Sequence, residues 1–269
     1  MSETKTIKKR IPLLDELRGL TVIAMVIYHA AYSWAYIFGL PFGVAMMNVL
    51  FPIHYIIPVV FVFISGICTK LSRSNLRRGL LLLIPALGIN IVTIFLEKYI
   101  MYISIYFGVI NMLSVVMILY GLFGKYLERF PSLPSFIICM LLFPLTWGIN
   151  DRFVGIFGIK LFELPDYLYN TKFLFPIGFP DNNFTSSDYF PLLPWIFLFL
   201  AGAYFASVIT TTKIMISEKL YKSHSRVLSF IGKKALYIYI AHQPVICGLT
   251  YLILLLFKET LIKSSAEVA

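Results

Sequence analysis

One apolar segment of the chain, LDELRGLTVIAMVIYH, carries the ionisable residues Arg18 and His29. At about 100° per residue their side chains return to nearly the same face of an α-helix, roughly 16 Å apart along its axis. Ionisable side chains inside a membrane span are costly and rare, so they are candidates for function. An imidazole can take a proton from an attacking hydroxyl or amine, and a guanidinium can bind a phosphate.

A simpler interpretation exists for each of these two residues. Asp15 stands three residues before Arg18 and can pair with it on the helix face, so the two form either a ligand site or an anchor at the membrane surface. A long side chain such as that of Arg18 can reach back to the membrane surface. The imidazole of His29 cannot do so, because it lies about two-thirds of the way through the expected span. A structural hydrogen bond from His29 to a neighbouring helix stays open as the alternative to a catalytic role.

Two further histidines lie within apolar segments. His54 follows a Phe-Pro pair at the outer start of the second expected span, where it is a second candidate base or an ordinary interfacial residue. His242 and Gln243 precede Pro244, which frees a backbone carbonyl one turn earlier. These two side chains are therefore expected either to satisfy that carbonyl or to contact substrate.

A cluster of positively charged side chains, residues 70–78, lies at the end of the second expected span. Its candidate phosphate-binding residues are Arg73, Arg77 and Arg78. The cluster is either an ordinary cytoplasmic anchor or, beside Arg18, a mouth that binds phosphate groups. Asn111 and Asp188 are the remaining polar outliers. Asn111 is a candidate oxyanion donor, and Asp188 is a candidate substrate contact or a helix N-cap.

Composition places the whole chain in a membrane. Of 269 residues 59% are hydrophobic and 13% are charged, and the mean hydropathy is +0.84, whereas soluble domains have about 25% charged residues. The net charge of +10 does not indicate nucleic-acid binding, because the cations fall in short clusters between apolar runs. All three cysteines lie in apolar segments, so we expect neither a disulfide nor a metal site.

The hydrophobic pattern predicts an all-α, polytopic bundle of about seven transmembrane helices. The expected spans are residues 17–38, 51–70, 79–96, 104–123, 134–149, 189–209 and 234–257, of which the fifth is short enough to be re-entrant. With a cytoplasmic N-terminus, the inner segments carry 16 Lys and Arg and the outer segments six, with Arg18 completing the 23. This asymmetry follows the positive-inside rule.

The domain organisation follows from these spans. Residues 1–16 form a basic cytoplasmic N-terminus, 17–257 a single transmembrane domain, and 258–269 a C-terminal tail. The first span is expected to be retained, because no small-residue cleavage site follows it. The long connection 150–188 is rich in aromatic residues and proline, so it should pack over the outer mouth as a lid.

Several stretches together resemble a known family. LDELRGL…MVIYH is similar to the first span of transmembrane acyltransferases, and residues 60–83, 107–120, 188–206 and 231–246 look like the bacterial members of the heparan-alpha-glucosaminide N-acetyltransferase catalytic family. The resemblance covers most of residues 10–250, in order. It implies transfer of an acetyl or other acyl group from cytoplasmic acyl-CoA to a sugar or envelope glycan on the far side of the cell membrane.

The chain departs from the family pattern at two places. Asn111 stands where a histidine is expected in the fourth span. The family's histidine for acyl transfer lies nearer the outer side after the first span, and here His54 is the nearest substitute. The resemblance therefore leaves His29 and His54 open as the base, with Arg18, Asp15 and the cation cluster as the CoA site.

The residues and the resemblance together predict a membrane acyltransferase that works by direct transfer in a ternary complex and needs no metal. Its expected partners are the bilayer, acetyl-CoA or another acyl-CoA, and a glycan acceptor, with a homodimer left open. Two alternatives come from other classes. A small transporter would use the same buried polar residues as a path, and a non-catalytic membrane scaffold would need none of them.

Overall fold

The computed structural model describes residues 11–99, 103–156, 158–211 and 222–267. The α-helices are α1 (Pro12–Tyr32), α2 (Pro41–Leu50), α3 (Ile56–Ile67), α4 (Asn75–Leu96), α5 (Val109–Leu127), α6 (Ser132–Leu145), α7 (Leu192–Thr211), α8 (Arg226–Lys233) and α9 (Ala235–Glu267). A π-helical segment, Ser33–Ile37, continues α1. Two short strands, β1 (Phe153–Ile156) and β2 (Ile159–Glu163), pair antiparallel.

The prediction of an all-α membrane bundle is confirmed. Within the described residues, six helices are long and apolar enough to cross a membrane, or seven if one broken pair counts as a span. The fifth expected span is among the six, because α6 and the 3-10 turn after it give an apolar segment of 20 residues, Ser132–Asp151. Large apolar side chains on α4 and α9 are exposed, as lipid contact requires.

Residues 51–70, expected as the second span, do not form one helix. The chain is already helical in α2, where residues 39–50 were expected to form an outer loop, and a 3-10 turn, Phe51–Ile53, follows it. His54 and Tyr55 form a turn, although His54 keeps helical φ and ψ. The chain bends by 49° there, and α3 starts at Ile56. Pro58 explains the break, because a proline has no N–H to donate and its ring collides with the carbonyl four residues earlier, that of His54.

The chain divides into two compact units. The large unit runs from Pro58 to His224 and takes in residues 11–14, and the small unit combines Asp15–Ile57 with the segment from Ser225 onward. The core of the large unit lies around Val62, Met112 and Phe199, all of them fully buried. There α3 and α7 approach so closely that a Cβ at Gly66 would collide with the Phe199 carbonyl, and one at Gly202 with the Phe63 carbonyl.

The small unit contains α1, the π-helical segment, α2, α8 and α9. A compact apolar cluster of Ala31, Ala35 and Met47 holds α2 against the π-helical segment. At the other end of α1, a Cβ at Gly19 would collide with the carbonyl of Leu228 in α8, and one at Gly232 with the carbonyl of Asp15. The two backbones therefore cross in direct contact, and only glycine fits at the crossing.

The connection 150–188 belongs to the large unit and is more ordered than a simple loop. It contains the β1–β2 hairpin and a 3-10 turn, Asp166–Tyr169. Arg152 organises it by pairing with Asp166 at 2.9 Å, bonding to Asn182, and lying 4.9 Å from the centre of the Tyr169 ring. The Tyr189 phenol donates a hydrogen bond at 2.5 Å to the Phe175 carbonyl, which lies within the same connection.

Candidate functional site

Three of the candidate histidines lie in one row of rings within the small unit. His29 and His242 have ring centroids 5.0 Å apart, with their planes at 65°. Tyr28 lies 5.8 Å from His29, edge-on, and His54 stacks on Tyr28 at 5.5 Å. The fold thus brings together residues from the first span, the break before α3 and the last span.

The side chain of His242 is held by its own helix. Its Nδ1 lies 2.5 Å from the carbonyl oxygen of Tyr239, one turn earlier in α9. This carbonyl is not the one that Pro244 frees, which belongs to Ile240. The buried Nε2 has no hydrogen-bond partner among the described residues. His242 therefore does not bond to the carbonyl that Pro244 frees, contrary to one of the two expectations for it.

Gln243 makes a contact between helices instead. Its amide nitrogen donates to Ser33 Oγ at 2.8 Å, and the Ser33 hydroxyl donates in turn to the His29 carbonyl at 2.9 Å. Trp34 adds a second bond between the same segments, from its indole nitrogen to Thr250 Oγ1 at 2.9 Å. Ser33 and Trp34 begin the π-helical segment, a type of irregularity that is found frequently at functional sites.

The start of α1 carries a second polar group. Arg18 pairs with Asp15 at 3.1 Å, as their spacing predicts, and Asp15 is almost fully buried. Glu16 is also buried, and its carboxylate accepts a hydrogen bond from the backbone N–H of Ser225 at 3.0 Å. Because α1 is one continuous helix, Arg18 and His29 share its face at opposite ends.

Between this group and the row of rings runs an apolar groove within the small unit. It is lined only by aliphatic side chains, namely Val22, Ile23, Val26, Ile27, Ile231 and Ile238. Ile238 lies one turn before His242 on α9, and Val26 lies three residues before His29 on α1. The groove therefore approaches the histidines along both helices that carry them.

Asn111 and Asp188 meet in the large unit, at the N-terminus of α5. Asn111 Oδ1 accepts a hydrogen bond from the Gly108 N–H at 3.2 Å, and Asp188 Oδ2 accepts one from the Val109 N–H at 3.4 Å. Both side chains thus satisfy backbone donors that a helix start leaves unpaired. Asp188 thus bonds to the first turn of α5, whose N-cap residue is Gly108, and not to α7, which follows Asp188 in the chain.

The cation cluster lies at the start of α4, also in the large unit. Ser74 caps this helix by accepting a hydrogen bond from the Arg77 N–H at 3.2 Å. Lys70 pairs with Glu128 at 2.7 Å, whereas Arg73, Arg77 and Arg78 are exposed. The arginines are thus accessible to an anionic ligand.

Sequence reasoning missed three residues that build these sites. Ser33 and Glu16 both bond to partners more than 200 positions away in the chain, which no local pattern indicates. Tyr28 links His29 to His54 through ring contacts, and only its position beside His29 hinted at this. Among the described residues, no group of three His, Cys, Asp or Glu side chains lies close enough to hold a metal ion.

Comparison with protein families matches residues 10–244 to the heparan-alpha-glucosaminide N-acetyltransferase catalytic domain. The chain belongs to this family. The match spans α1 through the first part of α9 and includes His29, His54 and His242. The family resemblance seen in separate stretches of the sequence therefore covers most of the chain. Neither the curated proteins nor the solved structures compared with the chain gave a match. The family and the helices together identify a multi-pass membrane protein of an acetyltransferase family.

Proposed function

We propose that the chain is a membrane acyltransferase that moves an acetyl or other acyl group from cytoplasmic acyl-CoA to an extracytoplasmic sugar or envelope glycan. The observation that carries this proposal is the row of His54, Tyr28, His29 and His242. Within this row, His29 lies on the same helix as Arg18, in a chain that belongs to an N-acetyltransferase family.

The donor site is proposed at the cytoplasmic end of α1. Arg18 binds a phosphate of CoA through its guanidinium fork, whose direction the bond to Asp15 sets. From Arg18 the pantetheine arm follows the face of α1 toward His29, a distance of roughly 16 Å by helix rise.

His29 acts in this proposal as the general base. It takes the proton from the acceptor hydroxyl or amine as the acceptor oxygen or nitrogen attacks the thioester carbonyl. When the carbon–sulfur bond breaks, His29 returns the proton to the departing thiolate, so the products are an acylated sugar and CoA. His54 is the alternative base.

The topology belongs to the same proposal. The excess of Lys and Arg in alternate connections favours a cytoplasmic N-terminus, and the membrane proposed is the cell membrane. The connection 150–188 then lies outside, where an acceptor glycan would approach. Its ordering by Arg152 supports a folded surface at this point.

The deciding experiment combines binding and turnover. Purified protein in detergent should melt at a higher temperature with CoA or acetyl-CoA, because a ligand that binds the folded state stabilises it. It should then move label from acetyl-CoA to a cell-envelope glycan. A transporter would take up substrate into vesicles without acylating it, and a scaffold would show neither binding of CoA nor transfer. Either result would contradict the proposal.

A further inference from the structure

His242 lies beside His29, the proposed base. Its two ring nitrogens have different hydrogen-bonding roles, which a residue that only packs would not need. We propose that His242 is the positioning residue for His29 and accepts a hydrogen bond from the ring of His29 during acyl transfer. This inference rests on the proposed function. It adds a residue that works through His29 and does not itself touch the acyl group.

The hydrogen bond at Nδ1 selects the tautomer of His242. A carbonyl oxygen can only accept, so the nitrogen 2.5 Å from the Tyr239 carbonyl must carry the proton. In the neutral imidazole the other nitrogen, Nε2, then holds a lone pair and can only accept. That nitrogen is buried and has no hydrogen-bond partner among the described residues. Its acceptor capacity is therefore available to a donor within the site.

The adjacent ring is His29, and the structure fixes the distance between the two. Their centroids lie 5.0 Å apart. The residues that join the helices directly flank the pair, since Gln243 follows His242 and Ser33 lies one turn after His29. The bond from Gln243 to Ser33, continued by the bond from Ser33 to the His29 carbonyl, ties the two backbones together beside the rings.

This arrangement supplies what a base in an apolar environment needs. When His29 takes the acceptor's proton, both of its ring nitrogens become donors, and one faces the acceptor group while the other requires a partner. A buried imidazolium without a partner is costly. His242 Nε2 can accept a hydrogen bond from that second N–H. This bond holds the His29 ring in one orientation until His29 passes the acceptor's proton to the thiolate. No proton is gained or lost over the cycle, so the balance of the reaction is unchanged.

The test uses His242→Asn, because the Asn amide nitrogen can keep a bond to the Tyr239 carbonyl while Nε2 is lost. We expect kcat to fall by at least about 100-fold, within the usual range for proton-transfer groups. The KM for acetyl-CoA and the melting temperature should stay near wild type. Thr250→Val is the matched control, since it removes the bond to Trp34 between the same segments, two turns further along α9. It should lower the melting temperature and leave kcat intact.

A double variant separates positioning from packing. If His242 acts through His29, adding His242→Asn to His29→Gln should cost little more than His29→Gln alone, because residues that act as a unit are not additive. Wild-type kcat in His242→Asn, or fully additive losses, would overturn the inference while leaving acyl transfer by His29 in place. If the wild-type protein transfers no acyl group at all, the proposed function itself fails.

A second variant covers the case in which His242→Asn does not fold. Gln243→Leu breaks the bond to Ser33 without touching either ring. We expect it to lower kcat well below that of Thr250→Val, even at equal loss of melting temperature. Equal kcat in these two variants would overturn the positioning role.

Discussion

Glu16 accepts a hydrogen bond from the backbone N–H of Ser225 across 3.0 Å, although 209 residues separate them in the chain. The carboxylate is buried, and its partner is the N-cap residue of α8. A negative charge at this point also faces the positive end of the helix dipole. Glu16 therefore joins the start of α1 to the start of α8, next to the crossing of Gly19 and Gly232.

Removing the Glu16 carboxylate should destabilise the small unit. Glu16→Ala leaves the Ser225 N–H without its partner, which costs about 1–3 kcal/mol for a buried group. The loss should appear as a lower melting temperature in detergent. Glu163→Ala is the control, because the pair of Glu163 with Lys160 is largely exposed and should change stability by less than about 1 kcal/mol. Equal effects of both changes would contradict the capping role.

The crossing of α1 and α8 should not tolerate any side chain. Gly19→Ala places a Cβ against the Leu228 carbonyl, so the backbones must separate and the variant should lose stability or fail to accumulate in the membrane. Gly248→Ala, in α9 of the same unit, has open space around the new Cβ. It should be neutral or stabilising by up to about 1 kcal/mol, since alanine favours helix more than glycine does. Fluorescence-detected size-exclusion profiles of both variants compare the two outcomes.

His29 should be required for turnover and not for folding. His29→Gln keeps a hydrogen-bonding side chain and loses the titratable nitrogen, so activity should fall by about 100-fold or more while the melting temperature stays near wild type. His54→Gln should retain most of its activity if His29 is the base. If the two variants behave in the opposite way, the base is His54, and His29 is a structural residue.

Arg18 should be needed for donor binding. Arg18→Lys keeps the charge but loses the planar fork that binds phosphate through two bonds. We therefore expect the Kd for acetyl-CoA, measured by isothermal titration, to rise by about tenfold, which corresponds to roughly 1.4 kcal/mol. Arg129→Lys, in the exposed turn after α5, is the matched control and should leave Kd unchanged. An unaltered Kd in Arg18→Lys would return Arg18 to the role of an anchor.

The orientation of the chain can be tested with single cysteines at exposed positions. In a background without the native cysteines, an impermeant maleimide should label Asn183→Cys in intact cells. It should label Arg73→Cys only after the cells are opened. This follows from the placement of Arg73 in a cation-rich inner segment and of Asn183 in the outer connection. Labelling in the opposite sense would reverse the proposed access of donor and acceptor.

The local parts of the fold were readable from the sequence. The apolar run with Arg18 and His29 specifies one continuous helix, and the three-residue spacing of Asp15 and Arg18 specifies their pairing. The break at His54 was missed because hydrophobicity alone does not distinguish one long apolar run from two helices. The effect of Pro58 on the carbonyl of His54 contained that information.

The long-range parts of the candidate site were not readable. The pairing of His29 with His242, and of Ser33 with Gln243, depends on how distant helices pack, and many registers would satisfy the same apolar pattern. Glu16 fell within the expected cytoplasmic N-terminus, residues 1–16, where no local pattern indicated burial. Its burial is explained only by the N-terminus of α8, whose position the sequence did not indicate.

The small unit is assembled from the first and last parts of the chain, which has consequences during synthesis. At about 5–20 residues per second, the ribosome needs roughly 10–40 s to make the residues between Glu16 and Ser225. During this interval α1 is already made, but Glu16, Ser33 and His29 have none of their partners from α8 and α9. The translocon, a chaperone or local water must therefore shelter these polar groups until the last helix arrives.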